Sequence, residues 1–142
     1  MAATRTAHTV WNGDLMSGSG NTTLDSSGLG TYEVTWKART EASGGKTSPE
    51  ELIAAAHSAC FSMAFSHALA QAGHAPEEVN TKADVTFVPG TGITGSHLTM
   101  SARIPGISVD EFQKIAAEAK VGCPVSGALA SIDITLDATL QS

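Results

Sequence analysis

Apolar and polar residues alternate along several stretches of the chain, and this period of two is typical of strands with one buried face. The alternation predicts three strands, at residues 32–39, 97–104 and 132–140. Turns rich in glycine, serine and proline bound three further segments that we predict as strands, at residues 9–16, 21–26 and 79–88. The pattern therefore predicts six strands, with a different period in the regions between them.

Two capping boxes mark the beginnings of predicted helices. The Ser-Pro-Glu-Glu segment at residues 48–51 begins a long helix that should end near Ala72, before Gly73. The Ser-Val-Asp-Glu segment at residues 108–111 begins a second helix, whose apolar stripe consists of Val109, Phe112, Ile115, Ala116 and Ala119. A short third helix begins at Cys123-Pro124 and ends near Ala130. The element order βββαββααβ predicts an α+β fold.

Length and composition limit the kind of protein. A chain of 142 residues predicts one domain, spanning residues 1–142. With 42% hydrophobic and 15% charged residues, the composition excludes an intrinsically disordered chain. The formal net charge of −6 argues against nucleic acids and anionic membrane surfaces as partners.

The location of the protein is predicted from two segments. The N-terminus has no continuous apolar core of a secretory signal, so we expect a cytoplasmic protein. The most apolar stretch, residues 52–72, contains six histidine, serine and glutamine residues, which argues against a membrane span and favours the buried helix of a soluble protein. Because the cytoplasm keeps thiols reduced, the two cysteines cannot be assumed to form a structural disulfide.

The two cysteines occupy different positions in the predicted helices. Cys60 lies in the middle of the long helix, where an apolar surrounding raises a thiol pKa unless a cation is nearby. Cys123 lies at a helix N-cap, where unpaired backbone amides lower a thiol pKa. Helix position alone therefore favours Cys123 as the reactive thiol. The alternative is that Cys60 is a small core residue and Cys123 a weak substitute for a serine cap.

A family resemblance changes that ranking. Residues 47–64, Thr-Ser-Pro-Glu-Glu-Leu-Ile-Ala-Ala-Ala-His-Ser-Ala-Cys-Phe-Ser-Met-Ala, resemble the signature helix of the OsmC/Ohr family of thiol-dependent hydroperoxide reductases, and Gly-Cys-Pro-Val-Ser at residues 122–126 resembles its second cysteine motif. The sequence of the first motif is more similar to the OsmC (osmotically inducible protein C) branch than to the Ohr branch. The resemblance implies an OsmC-like fold, with a long central helix packed on an antiparallel sheet. It also implies an intertwined homodimer with active sites at the subunit interface.

The resemblance also implies roles for four residues. By motif position, Cys60 is the peroxidatic cysteine and Cys123 the resolving cysteine. Arg39 matches the active-site arginine, whose guanidinium would favour a Cys60 thiolate and hydrogen-bond peroxide oxygens. Glu50 matches the glutamate that pairs with this arginine. Without the resemblance, Arg39 would be a solvated arginine past a strand end, and Glu50 would complement the helix dipole.

Helix geometry constrains how these residues meet. Ten residues separate Glu50 from Cys60, so an uninterrupted helix places their backbones about 15 Å apart. Either Arg39 bridges this gap or, more simply, a second subunit donates the glutamate. The homodimer that the resemblance implies fits the second arrangement.

His57 lies three residues before Cys60, on the same face of the predicted helix. It could ligate a metal with Cys60 or act as a base toward the thiol, but the other histidines are scattered and the cysteines lack compact metal-ligand spacing. We expect a hydrogen-bonded histidine packed in the helix interface, and no metal. The glycines form no strand-to-helix phosphate loop, so we expect no nucleotide and no other cofactor.

The residues and the resemblance together predict a cysteine-based hydroperoxide reductase without a prosthetic group. Its substrates would be organic hydroperoxides, with hydrogen peroxide as a further candidate. A Cys60 sulfenic acid would condense with Cys123 to a disulfide, which an external dithiol, a lipoylated protein by the family pattern, would reduce. The alternatives are a non-catalytic stress-response binding protein with incidental cysteines, or a zinc enzyme.

Overall fold

The computed structural model describes residues 1–141. Within them the elements follow the chain as β1 (Ala7–Asn12), β2 (Ser19–Leu24), β3 (Thr31–Val34), α1 (Trp36–Thr40), α2 (Pro49–Gln71), β4 (Glu78–Val88), β5 (Gly92–Arg103), α3 (Val109–Gly122), α4 (Pro124–Ala128) and β6 (Asp133–Gln141). The predicted α+β class is confirmed. The chain divides into two compact units, one formed by residues 1–52 and one that begins at Ile53.

The first unit contains an antiparallel sheet of β1, β2 and β3. In its register, Gly20 of β2 lies opposite Trp11 of β1 and Val34 of β3. A Cβ atom at Gly20 would lie 2.7 Å from the Trp11 ring and 3.1 Å from a Val34 methyl group. Glycine at this position therefore lets the Trp11 ring lie against the backbone of the middle strand.

Helix α1 differs from the prediction, which continued the third strand to Arg39. The strand ends at Val34, and Thr35 is the N-cap of α1, with its Oγ1 accepting a hydrogen bond from the Ala38 amide at 3.0 Å. The prediction missed this helix because Trp36 continues the apolar alternation of the strand. The competing signal is Thr35, a residue that favours the N-cap of a helix. The order is therefore βββααββααβ, and Arg39 lies on a helix.

The second unit contains a sheet in which β5 lies between β4 and β6. Strand β4 pairs with β5 in antiparallel orientation, but β5 pairs with β6 in parallel orientation. The expectation of an antiparallel sheet is therefore wrong for one of these two pairs. The reason is the connection from β5 to β6, which runs through α3 and α4 and is long enough to bring the chain back in the same direction.

The hydrophobic core of the second unit lies between α2, α3 and this sheet. Its buried side chains are Phe61, Phe65, Leu69, Leu98, Met100, Ala102, Ile104, Phe112, Ile115, Ala116, Ala119 and Cys123. The Phe65 ring stacks on Phe61 at a centroid distance of 5.8 Å and meets Phe112 edge-on at 5.7 Å. Val109 is exposed instead of joining the predicted stripe, because it is the first residue of α3 and lies at the helix end.

Helix α2 begins and ends as its sequence predicts. The Ser48 Oγ accepts a hydrogen bond from the Glu51 amide at 3.1 Å, and Gly73 follows the helix with a φ of +84°. By length and composition alone α2 also meets the criterion for crossing a membrane, with a mean hydropathy of 1.3, which the core helices of soluble proteins meet as well. In a single chain only part of its surface is buried, and Met63 remains 72% exposed.

Candidate active site

Cys60 and Cys123 are the central pair of the second unit. Helix α2 carries Cys60, which is half-buried, and Cys123 is a fully buried N-cap residue before Pro124, the first residue of α4. Both are free thiols, and their side chains are near enough to share a hydrogen bond although they are 63 positions apart in the sequence. The fold therefore brings together the two cysteines that the motifs marked.

The two thiols differ in acidity. Burial raises the pKa of Cys60, and its contact with the Cys123 sulfur raises that pKa further against a smaller opposite effect of the Val125 amide. Burial also raises the pKa of Cys123, but hydrogen bonding from Cys60, Ser126 and Val125 outweighs burial and lowers it. The amides approach the Cys123 sulfur without the geometry of a full capping hydrogen bond. Within this pair the negative charge therefore favours Cys123, as the helix-position argument predicts.

His57 links this pair to the core. The imidazole is fully buried, its Nδ1 lies 2.6 Å from the Ser96 Oγ, and its Nε2 lies 2.8 Å from the Ser126 Oγ. Burial lowers the pKa of His57, so the ring is neutral at physiological pH. The prediction of a packed, hydrogen-bonded histidine is confirmed. Both ring nitrogens face serine hydroxyls, which leaves no nitrogen to act as a direct base toward a thiol.

Sequence reasoning did not single out Ser96 and Ser126 as members of this cluster. Ser126 had a local signal, because it lies three residues after Cys123 in the second cysteine motif. Ser96 had none, since a serine on β5 becomes a partner of His57 only when the sheet packs against α2. Among residues 1–141, no three His, Cys, Asp or Glu side chains are arranged to hold a metal ion.

Arg39 and Glu50 form an ion pair in the first unit. The Arg39 Nε donates to both carboxylate oxygens of Glu50, at 3.0 and 3.2 Å, and Nη2 donates to Oε2 at 2.8 Å. The Glu50 side chain is 8% exposed and that of Arg39 27% exposed. The guanidinium also lies 5.9 Å from the centre of the Trp36 ring. These contacts fix the orientation of the Arg39 cation within a single chain.

A cavity of about 380 Å³ lies beside Arg39 in the first unit. Most of its wall is apolar, contributed by Trp11, Leu15, Val34, Trp36, Pro49 and Leu52. An apolar cavity with one guanidinium in its wall suits a molecule that combines a hydrocarbon group with a polar oxygen.

Comparison with known proteins identifies the family. The family described as OsmC-like protein matches residues 42–137. The chain belongs to the OsmC family. It is 42% identical over 135 residues, 93% of both chains, to Peroxiredoxin OsmC of Escherichia coli strain K12. The predicted family is therefore confirmed.

Solved structures of the OsmC family share this fold. An OsmC-like protein from Mycoplasma pneumoniae matches with a TM-score of 0.76 and 14% identity, covering 100% of both chains. The organic hydroperoxide resistance protein OhrB of Bacillus subtilis matches with a TM-score of 0.70 and 22% identity, covering 94% of this chain and 97% of its own. At these identities the two structures confirm the fold alone.

The OsmC-family chain is a thiol-dependent peroxidase, which confirms the predicted enzyme class. Its activity is a peroxiredoxin-like detoxification of hydroperoxides. The arrangement of its two cysteines suits such chemistry, because a thiol oxidised by peroxide needs a second thiol nearby to form a disulfide.

Proposed function

We propose that this OsmC-family enzyme reduces organic hydroperoxides, and hydrogen peroxide as a further substrate, with Cys60 as the peroxidatic and Cys123 as the resolving cysteine. The observation that carries the proposal is the adjacency of these two free thiols. Cys60 is the more accessible thiol and Cys123 is buried. A peroxide can therefore reach Cys60 first, and the buried Cys123 is placed to attack the oxidised Cys60 afterwards.

The reaction has two steps in the protein. The Cys60 thiolate attacks the distal oxygen of ROOH, the O–O bond breaks, and the leaving alkoxide takes a proton to give ROH and a Cys60 sulfenic acid. The Cys123 thiolate then attacks the Cys60 sulfur, the S–O bond breaks, and hydroxide leaves and takes a proton to become water. An external dithiol reduces the resulting disulfide by exchange. A lipoylated protein in the cytoplasm is the reductant that the family resemblance suggests.

Arg39 supplies the cation that Cys60 needs. Because burial raises the pKa of Cys60, a thiolate there requires a positive charge beside it. We propose a homodimer in which Arg39, oriented by Glu50 of its own chain, serves Cys60 of the partner chain. Glu50 and Cys60 lie on the continuous helix α2, where ten residues correspond to about 15 Å. The exposed Met63 on α2 gives a second copy an apolar surface to cover.

The apolar cavity beside Arg39 supports an organic substrate. Its tryptophan and aliphatic walls favour the hydrocarbon part of an organic hydroperoxide, while the guanidinium hydrogen-bonds the peroxide oxygens. Hydrogen peroxide has no hydrocarbon part to bury, so it should react with lower kcat/KM. Consumption of a series of alkyl hydroperoxides of increasing length, compared with hydrogen peroxide, measures this preference.

Two cysteine variants test the proposed roles. Cys60→Ser should abolish peroxide consumption, because no thiol remains to attack the peroxide. Cys123→Ser should consume one equivalent and stop at sulfenic acid or overoxidise. Mass spectrometry of the peroxide-treated variants distinguishes these states. Sustained turnover by Cys60→Ser would contradict the assignment, and a wild-type protein that keeps both thiols after peroxide would favour the binding-protein alternative.

Mixed dimers test the arrangement across chains. A dimer of one Glu50→Ala chain and one Cys60→Ser chain contains one interface with both intact groups if they act across chains, and none if they act within a chain. By two-fold symmetry we expect about half the activity of the wild-type dimer. Inactive dimers, shown by tags to be mixed, would contradict this arrangement while leaving the role of Cys60 open to the test above.

A further inference from the structure

Three buried polar side chains of the second unit take no part in the function proposed so far. Ser96 of β5, His57 of α2 and Ser126 of α4 form a continuous hydrogen-bonded chain, with distances of 2.6 and 2.8 Å. All three are buried. Apolar side chains of the same volume would stabilise the core at least as well as these hydrogen-bonded polar groups. We therefore expect the cluster to have a role besides packing.

The chain of hydrogen bonds ends beside Cys123. Cys123 is the N-cap of α4 and Ser126 its third residue, and side chains at these two helix positions lie next to each other. The Ser126 hydroxyl and amide both approach the Cys123 sulfur and lower the pKa of its thiol. The Ser126 hydroxyl therefore lies between the His57 imidazole and the resolving thiol.

The donor and acceptor roles in this chain follow from counting hydrogens. A neutral imidazole has one N–H donor and one acceptor nitrogen. If Ser126 gives its single hydrogen to the Cys123 sulfur, it can only accept from His57, so Nε2 carries the proton. Nδ1 is then the acceptor, and the Ser96 hydroxyl donates to it. In the opposite tautomer Ser126 would donate to His57 and would have no hydrogen left for Cys123.

We propose that Ser96 and His57 are positioning residues that orient the Ser126 hydroxyl as a hydrogen-bond donor to the Cys123 sulfur, and thereby prepare Cys123 as the thiolate that resolves the Cys60 sulfenic acid. The inference deepens the proposed function and rests on its second step. In that step the Cys123 lone pair forms the S–S bond and hydroxide leaves the Cys60 sulfur. The proton that Cys123 lost beforehand passes to solvent, so hydroxide and this proton balance as water.

The surroundings of Cys123 agree with this assignment. The titratable groups that face it are the Cys60 thiol, directly, and the neutral His57 of α2, through Ser126. The amides of Val125 and Ser126 add dipoles of the same sign at the beginning of α4. Hydrogen bonding to a thiolate favours the charged form, so loss of the Ser126 hydroxyl should raise the pKa of Cys123.

The first experiment measures this pKa without any peroxide chemistry. In a Cys60→Ser background Cys123 is the remaining thiol of the chain, and the ultraviolet absorbance of the thiolate reports its titration. We expect Ser126→Ala to raise the Cys123 pKa by about one unit, the size expected for a lost hydrogen bond to a charged group. His57→Phe should raise it as well, whereas His57→Gln should restore part of the shift because its amide can still donate to Ser126.

Ser62→Ala is the matched control for this titration. Ser62 lies on α2, and its hydroxyl donates to the Ser58 carbonyl at 2.8 Å and bonds the Thr81 hydroxyl at 2.7 Å, outside the His57 cluster. Its loss should leave the Cys123 pKa unchanged. Because Ser126→Ala removes a single oxygen, it keeps the test available even if His57→Phe does not fold. An unchanged Cys123 pKa in folded Ser126→Ala would overturn the proposal.

The second experiment follows the two chemical steps separately in the protein with both cysteines. After one equivalent of an alkyl hydroperoxide, Ser126→Ala should form sulfenic acid at the parent rate. It should form the disulfide about tenfold more slowly at neutral pH, since one pKa unit means tenfold less thiolate. The difference should close as the pH rises, which a purely structural role would not produce. Equal disulfide rates at every pH would overturn the inference, whereas a shifted Cys123 pKa without any disulfide in the parent would overturn the proposed function instead.

Discussion

Replacing Arg39 with alanine removes three hydrogen bonds from the Glu50 carboxylate and leaves that carboxylate in a site only 8% exposed. A buried charge without a partner is costly, because neither water nor a cation compensates for its lost hydration. We therefore expect Arg39→Ala to destabilise the folded protein in addition to slowing the reaction with peroxide.

The magnitude follows from the exposure of the pair. Breaking a fully buried ion pair costs about 3–5 kcal/mol. Arg39 is 27% exposed, so water reaches part of the gap that alanine leaves, and we expect a loss of about 2–3 kcal/mol in the free energy of unfolding. At roughly 2–4 °C per kcal/mol for a chain of this size, Tm should fall by about 4–12 °C. Adding Glu50→Gln removes the unpaired charge and should restore more than half of the loss.

A double-mutant cycle measures this coupling. Urea unfolding of the wild-type protein, the two single variants and the double variant, at one protein concentration, gives the four free energies. Peroxide reaction rates measured beside them separate the two effects, since the double variant should regain stability without regaining activity. A loss below about 0.5 kcal/mol in Arg39→Ala, or a double variant that loses the sum of the single losses, would refute the reasoning.

Three further predictions concern stability. Phe65→Ala should cost about 3–5 kcal/mol in urea unfolding, because it leaves a cavity between Phe61 and Phe112, and a cost below about 1 kcal/mol would contradict that packing. Burial lowers the pKa of His57, so the unfolded chain binds a proton more readily than the folded protein, and the free energy of unfolding should fall as the pH drops below about 7, a slope that His57→Gln should reduce. Ser108→Ala should cost about 1 kcal/mol through loss of the α3 N-cap and leave the peroxide rate unchanged.

The fold was predictable where local rules act alone. Ser48 and Ser108 cap their helices because the capping signal lies within four residues of sequence. Helix α1 was missed because Trp36 satisfied the strand period as well as the helix that Thr35 caps. The parallel pairing of β5 with β6 was missed because strand direction depends on how a crossover packs, which periodicity does not record.

Some features of the candidate site were also predictable from the sequence, and others depend on tertiary packing. Motifs marked Cys60 and Cys123, and the structure brings their thiols together. The order of their pKa values depends on the amides and hydroxyl at the beginning of α4, and sequence position alone gave that order correctly for the isolated pair. The partnership of His57 with Ser96 joins elements 39 positions apart, and only tertiary packing creates it.

The separation of the two thiols along the chain links the redox state to folding. A bond between Cys60 and Cys123 closes a loop of about 63 residues, which in the chain-entropy description destabilises the unfolded state by about 4 kcal/mol. By thermodynamic linkage, the disulfide is harder to reduce in the folded protein than in the unfolded chain by the same free energy. For a two-electron couple, this free energy corresponds to a reduction potential lower by about 90 mV. In the proposed cycle, each oxidation makes the protein harder to unfold, and each turnover requires a reductant strong enough to reduce a disulfide that the fold stabilises.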